Sequence, residues 1–211
     1  MKQYNEMQVN VCNICEATIW EKNVTDIETR LDRLESRAEI LALISHYCKA
    51  CDDRDVPLLR SLFRQDSWVR SADGRMKGEG LEGIMQMYRK RFEVLGLSVH
   101  WTHDTVVTFD PADPDRATGE VFCHAEAVRN QQVLVGSLRY EDEYRRRDGK
   151  WYFASRLLKF LYYVPVQSYA EALASPLRQR GYETPLPGDY PESLPSWTGW
   201  VQHYQPEDQQ A

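Results

Sequence analysis

Glu143-Tyr144-Arg145-Arg146-Arg147-Asp148-Gly149-Lys150-Trp151-Tyr152-Phe153 is the stretch on which the reading of the fold turns. Asp148-Gly149 is a hairpin-turn signal, and the arginine run before it reads as the solvated end of that hairpin. On either side lie long runs of β-branched and aromatic residues, Val133–Arg145 and Trp151–Val164, which read as two antiparallel strands. The same texture continues upstream in Leu97–Phe109 and Ala117–Arg129, separated by the turn-rich Pro111-Ala112-Asp113-Pro114-Asp115. Four long strands in a meander are therefore expected.

Before the meander the periodicity is helical. Thr25-Asp26-Ile27-Glu28 has the spacing of a capping box, and apolar residues then recur at Ile27, Leu31, Leu34, Ala38, Leu41 and Cys48, joined by Ile40, Leu43, Ile44 and Tyr47. This predicts one long amphipathic helix ending near Cys51. A short helix over Val56–Phe63 and a third with the face Leu81, Ile84, Met85, Tyr88, Phe92 and Leu95 follow, with a small hairpin between them from Ser67–Ser71, Asp73-Gly74 and Arg75–Lys77. Helices first and a strand meander afterwards describe an α+β domain, a curved, mainly antiparallel sheet wrapped over the helices. After Val164 the texture changes once more. The last 47 residues hold seven of the ten prolines, with Trp197, Trp200 and Tyr204 among them, and predict a short helix near Ser168–Arg178 followed by an extended arm against a neighbouring subunit. The expected organisation is an N-terminal arm over 1–24, the domain over 25–165 and a proline-rich extension over 166–211.

Composition excludes several classes of function. A net charge of −6 argues against a nucleic-acid partner, whose binding draws on clustered Lys and Arg. No run approaches the roughly 20 apolar residues that span a bilayer, and the N-terminus lacks a signal-peptide layout. Five cysteines, an odd number, fit a reducing compartment, so a cytoplasmic protein is expected.

Arg33-Leu34-Glu35-Ser36-Arg37-Ala38 leading into Tyr47-Cys48-Lys49-Ala50-Cys51-Asp52, then Val99-His100-Trp101, then Glu143 to Trp151, resembles the SnoaL-like members of the nuclear transport factor 2-like superfamily. The likeness covers about Asp32 to Pro165 and extends to the hexachlorocyclohexane dehydrochlorinase, bile acid 7α-dehydratase and scytalone dehydratase families. It implies a cone-shaped α+β barrel and a lyase that needs no cofactor. Matched motif by motif, it implies Asp52 supporting His100 as general base, with Arg156 stabilising a developing anion and Tyr47 donating to a substrate or leaving oxygen. A carboxylate on one imidazole nitrogen fixes the tautomer and stabilises the imidazolium formed at the other. Asp52 is preferred to Asp53 because it follows Cys48 by one helical turn. Tyr47 and Asp52, five residues apart, lie about 140° apart around a helix and converge only if the helix ends or bends between them. The acidic residue of the bile acid dehydratase falls on Ala125 here, so that enzyme's substrate is not expected.

Met85, Tyr88, Trp101, Cys123, Phe160 and Tyr162 form the expected substrate-binding lining, Cys123 and its neighbour Val121 by alternation along their strand, which suits a hydrophobic, aromatic or cyclic small molecule. No metal is expected. His100 and His103 are three apart on a strand and face opposite ways, and Cys48-x-x-Cys51 lies inside helical periodicity, although Cys12-x-x-Cys15 completes a formal pair of CxxC motifs. No phosphate-binding glycine loop or haem motif is present, so no cofactor is expected. Two alternatives stand beside elimination: a carbon–carbon lyase releasing formaldehyde from a lignin-derived diarylpropane, and a non-catalytic role as the small subunit of a ring-hydroxylating dioxygenase or as a binding module. The resemblance also implies a homo-oligomer, a trimer before a dimer, assembled through an outer sheet face where Phe122, Phe153 and Leu157 need cover.

Overall fold

The computed structural model describes residues 13–204, with side chains described from Asp26 onward. Two compact units are distinguished along the chain, residues 1–38 and 39–211. In the first, the described residues 13–38 are helical throughout, as the beginning of α1 (Asn13–Asp52). The helix thus starts twelve residues before the Thr25 capping box, because nothing between Asn13 and Thr25 is a glycine or proline that would interrupt it.

The second unit carries the sheet. After α1 come α2 (Val56–Ser61), β1 (Phe63–Ser71), β2 (Lys77–Glu79) and α3 (Gly80–Val94), then the four long strands β3 (Leu95–Phe109), β4 (Arg116–Arg129), β5 (Gln132–Arg147) and β6 (Lys150–Pro165). The sheet runs β2-β1-β6-β5-β4-β3, antiparallel throughout except for the β1–β6 pair. The fold is α+β, with a curved six-stranded sheet, as the helix-then-meander order implies. Asp148 and Gly149, at φ 53° and 70°, make the tight turn between β5 and β6.

Register irregularities bend the sheet and also decide which side chains face inward. Glu143 pairs with Ser155 and Tyr144 with Phe153, so Ala154 is an extra residue on β6; Ser137 pairs with Tyr162 and Leu138 with Phe160, so Leu161 is another. Each bulge shifts the alternation by one. Phe153, Arg156, Leu158, Phe160 and Tyr163 consequently all face the core, whereas strict alternation would have split them. Phe153 is fully buried, so it cannot belong to an outer interface, and Phe122 lies under the Arg139 guanidinium at 4.9 Å. The core gathers Ile40, Ile44, Leu59, Phe63, Val69, Ile84, Val121, Tyr140, Tyr144 and Phe153 between helices and sheet.

The C-terminal segment departs from expectation. Its first helix is only a 3₁₀ turn (Val166–Ser168) and α4 (Tyr169–Ala172), and a second helix, α5 (Pro195–Tyr204), stands where an extended arm was expected. Pro176, with no amide hydrogen, lies inside the longer helix that was predicted. Residues between the helices return to the chain's own sheet. Tyr163 and Gln179 form a parallel bridge, Asp189 Oδ2 accepts from the Phe160 amide at 2.6 Å, and Arg178, almost wholly buried, donates to the Leu161 carbonyl at 2.9 Å and to Glu192. Among the described residues no helix is long and apolar enough to cross a membrane.

Candidate active site

α1 ends where the site begins. Arg54, at φ 58°, takes the left-handed conformation that stops the helix, and the Asp55 amide reaches back to the Ala50 carbonyl at 3.0 Å. The Arg54 guanidinium donates to the carbonyls of Cys51 and Gly96 and to Ser98 Oγ at 3.2 Å, and lies 4.3 Å from the Phe92 ring. One side chain thereby ties the end of α1 to α3 and to the start of β3.

Asp52, the last residue of α1, then meets β3 three times. Its Oδ1 accepts from His100 Nδ1 at 2.6 Å and from Ser98 Oγ at 3.1 Å, while Oδ2 accepts from the His100 amide at 2.9 Å. With Nδ1 donating to the carboxylate, Nε2 is the unprotonated nitrogen of a neutral ring. The His100 side chain is 19 % exposed and lies on the wall of an enclosed cavity. Asp53 stays on the exposed side of the helix, paired with Lys49.

The cavity has a volume of about 40 Å³ with the side chains as they stand, room for about one water, so a larger molecule enters only as wall side chains move aside. Tyr47, Tyr88, Phe92, Tyr140 and Tyr163 give it aromatic walls, with Cys51, Ser98, His100 and Ala125 among them. The Tyr47 and Tyr88 hydroxyls are 2.7 Å apart. Burial first, and then each other's neighbourhood in the case of Tyr47, pushes both phenols well above their ordinary range, so both remain neutral hydrogen-bond donors. Tyr47 lines the cavity, and Asp52, where the helix stops, reaches its wall through His100.

Arg156 sits elsewhere than expected. It is fully buried but absent from the cavity wall, and it makes a two-pronged ion pair with Asp142 at 2.8 and 2.7 Å. The rings of Tyr47, Tyr140 and Phe153 lie 4.1 to 4.2 Å from its guanidinium carbon, and Nη1 has no hydrogen-bond acceptor. Burial opposes its charge, but Asp142 outweighs burial and holds its pKa well above the ordinary value. It therefore lies behind two of the wall tyrosines, Tyr47 and Tyr140.

Of the six expected lining residues only Tyr88 is on the wall. Tyr162 is turned outward by the Leu161 bulge, into a separate cluster with Val135, Val164 and Ala172 and against the Tyr169 ring, and Tyr163 takes the inward place. Trp101 alternates away from His100, 46 % exposed and stacked on His124. Met85 lies in a groove on the far side of α3 with Val56 and Leu59. Cys123 faces inward but behind Tyr140, whose hydroxyl donates to its Sγ at 3.6 Å, and Phe160 is core packed on Tyr163. The residues that reading the sequence missed are Arg54, Ser98 and Arg91. Arg91 had a signal, since Ile84, Tyr88 and Arg91 share one helical face.

Cys48, Cys51 and Cys123 are buried free thiols. Burial pushes Cys48 and Cys51 up to about 12 and Cys123 up to about 11. At pH 8 the first two are thiolate only on the order of one part in ten thousand. Iodoacetamide at that pH is expected to leave all three unmodified in the native protein and to label them after unfolding, read peptide by peptide by mass spectrometry; rapid labelling of Cys51 in the native state would contradict the burial. Among the described residues no three His, Cys, Asp or Glu side chains converge as a metal site, and the Cys12-x-x-Cys15 pair lies outside the described side chains.

Comparison with known proteins agrees with this geometry at the level of family. The SnoaL-like domain model matches residues 32–157, more than half of the chain. Two hexachlorocyclohexane dehydrochlorinases of Sphingobium indicum are each 32 % identical over 139 residues, covering 64 % of this chain and 87 % of the relative. A solved hexachlorocyclohexane dehydrochlorinase superposes with a TM-score of 0.61 at 25 % identity, covering 65 % of this chain and 93 % of its own. A scytalone-dehydratase-like protein from Novosphingobium aromaticivorans shares the fold at 17 % identity and a TM-score of 0.58, covering 64 % of this chain and 89 % of its own. The chain belongs to the SnoaL-like family.

Proposed function

We propose that this protein is a lyase that works without a cofactor and eliminates a small group from a hydrophobic, aromatic or cyclic molecule. The observation that carries the reading is the Asp52–His100 pair, with Nδ1 committed to the carboxylate at 2.6 Å and the ring on the wall of an aromatic cavity. In the proposed step Nε2 takes the proton from the carbon next to the one that bears the leaving group. The C–H electron pair becomes the new double bond, and the leaving group departs with its own bonding pair, as halide with the imidazolium proton then lost to solvent, or as hydroxide that takes the imidazolium proton and leaves as water. Asp52 stabilises the imidazolium, and of the mutually hydrogen-bonded Tyr47 and Tyr88 hydroxyls one keeps its proton free to donate to a departing oxygen or halide. The likeness to dehydrochlorinases supports elimination as the class of reaction. A purely binding role gives no reason for an oriented base in the cavity.

The test is a panel of cyclic and aryl alcohols and halides incubated with the purified protein and followed by mass spectrometry. Products lighter by one water or one hydrogen halide are expected, with activity unchanged by dialysis against a chelator. Release of formaldehyde would select the carbon–carbon lyase instead, and absence of turnover with every compound would leave the binding role as the better account.

The same reading carries a homo-oligomer, a trimer before a dimer, through the outer sheet face where Val106 is 55 % exposed beside Leu157 and Trp68. Light scattering at micromolar protein is expected to give a mass near three chains, and a stable single chain would rule this assembly out.

A further inference from the structure

Arg91 lines the Asp52–His100 cavity on one side and, on the other, a surface groove of about 460 Å³. That groove is walled by Arg75, Lys77, Lys90, Arg129 and Tyr182 as well, and no acidic residue lines it, in a protein whose net charge is −6. Three guanidinium groups converge on Tyr182, which the C-terminal segment delivers. Arg75 and Arg129 lie 4.1 and 4.4 Å from its ring centre, and Arg91 stands beside it on the groove wall.

The cations are not equivalent. Arg75 has Asp73 at 3.5 Å and donates to the Thr184 carbonyl at 3.1 Å; Arg129 donates to the Gly181 carbonyl at 3.2 Å. Lys77 has Glu79 at 4.0 Å. Arg91 is half-buried beside the phenols of Tyr47, Tyr163 and Tyr182, and among the described residues no carboxylate lines either the cavity or the groove that it borders. An arginine cannot shed its charge when buried, and a cation without a counter-ion in an aromatic pocket is costly, so the position favours an anion that arrives from outside.

We infer that the molecule taken by this cavity is itself an anion: a hydrophobic ring or chain bearing a carboxylate-type group, drawn in through the groove and held at Arg91, with its apolar part directed toward His100. Tyr182 shields Arg91 in the absence of that group and gives way to it. The inference rests on the proposed reading of the cavity as a substrate site, and it names the substrate's class.

Calorimetric titration of wild-type protein with benzoate, naphthoate and biphenylcarboxylate, each against its neutral amide, tests this without any turnover. At least one carboxylate is expected to bind about tenfold more tightly than its amide, and the preference is expected to shrink as salt rises from about 20 to about 300 mM. Arg91→Gln should bring the ratio to about one, while Arg91→Lys should keep part of it. Tyr182→Ala should tighten the carboxylate several-fold, because it uncovers Arg91, whereas an Arg91 that merely anchors the tail gives no such gain. His100→Ala should keep the full preference, so loss of turnover and loss of anion binding are read separately. Equal binding of acid and amide, binding of neither, or an unchanged preference in Arg91→Gln would overturn the inference.

Discussion

His100→Ala is expected to fold normally and to lose about a thousandfold to ten-thousandfold in turnover on whichever compound the wild-type protein transforms. The ring is partly exposed at the cavity wall and is held by Asp52, which also accepts from the His100 amide, so truncation opens space without exposing the core. What goes is the only base that the geometry places in the cavity with a nitrogen left over. Asp52→Asn is a smaller lesion of the same device. The amide can still accept one hydrogen bond from β3, but it no longer holds Nδ1–H by charge or stabilises the imidazolium, so a loss of about a hundredfold is expected. Kinetics on each variant, paired with circular dichroism, checks this. A folded His100→Ala protein with more than a tenth of wild-type turnover would make the pair a structural hydrogen bond and remove the basis of the proposed mechanism.

The contact between Asp52 and His100 was implied by the family resemblance, and both residues sit at ends of well-marked elements. Asp52 continues the periodicity of α1, and His100 lies near the start of a strand whose β-branched residues leave little choice of conformation. The lining was much less readable, for a reason particular to this sheet. A period of two propagates an error along the entire strand, and two extra residues on β6, Ala154 and Leu161, each reverse the alternation. Tyr162 was exchanged for Tyr163 by the second of these. Nothing in the local run Phe160-Leu161-Tyr162-Tyr163 distinguishes a bulge from a regular strand, since all four side chains suit either face. Trp101 is different, because its position next to His100 already places it on the opposite face. Arg54 could not have been found from its neighbourhood. Asp52-Asp53-Arg54-Asp55 reads as a polar turn, and only the approach of β3 and α3 gives its guanidinium something to hold.

Arg156 shows how a correct position can carry a different role, and it yields the largest expected effect on stability. Both members of the Asp142–Arg156 pair have side chains wholly removed from solvent, and the Tyr144 hydroxyl donates to Asp142 Oδ2 at 2.7 Å. Asp142→Asn removes the counter-charge while leaving a guanidinium that stays ionised beneath three aromatic rings. That uncompensated charge is expected to cost about 3–5 kcal/mol, which for a chain of this size lowers the melting temperature by roughly 6–20 °C. Replacing both, as Asp142→Asn with Arg156→Met, removes the charge together with its partner and should recover at least half of the loss, because a well-packed apolar substitute avoids the desolvation that the pair must overcome. Thermal unfolding of the two single variants and the double variant reads this as an interaction energy. If the double variant is as unstable as the sum of the singles, the two residues do not act as a pair, and Arg156 would again be free to face a bound molecule. If they are coupled, the activity lost in Arg156→Met should follow the disorder of Tyr47 and Tyr140 rather than a missing contact to substrate, and it should appear in KM and in kcat alike.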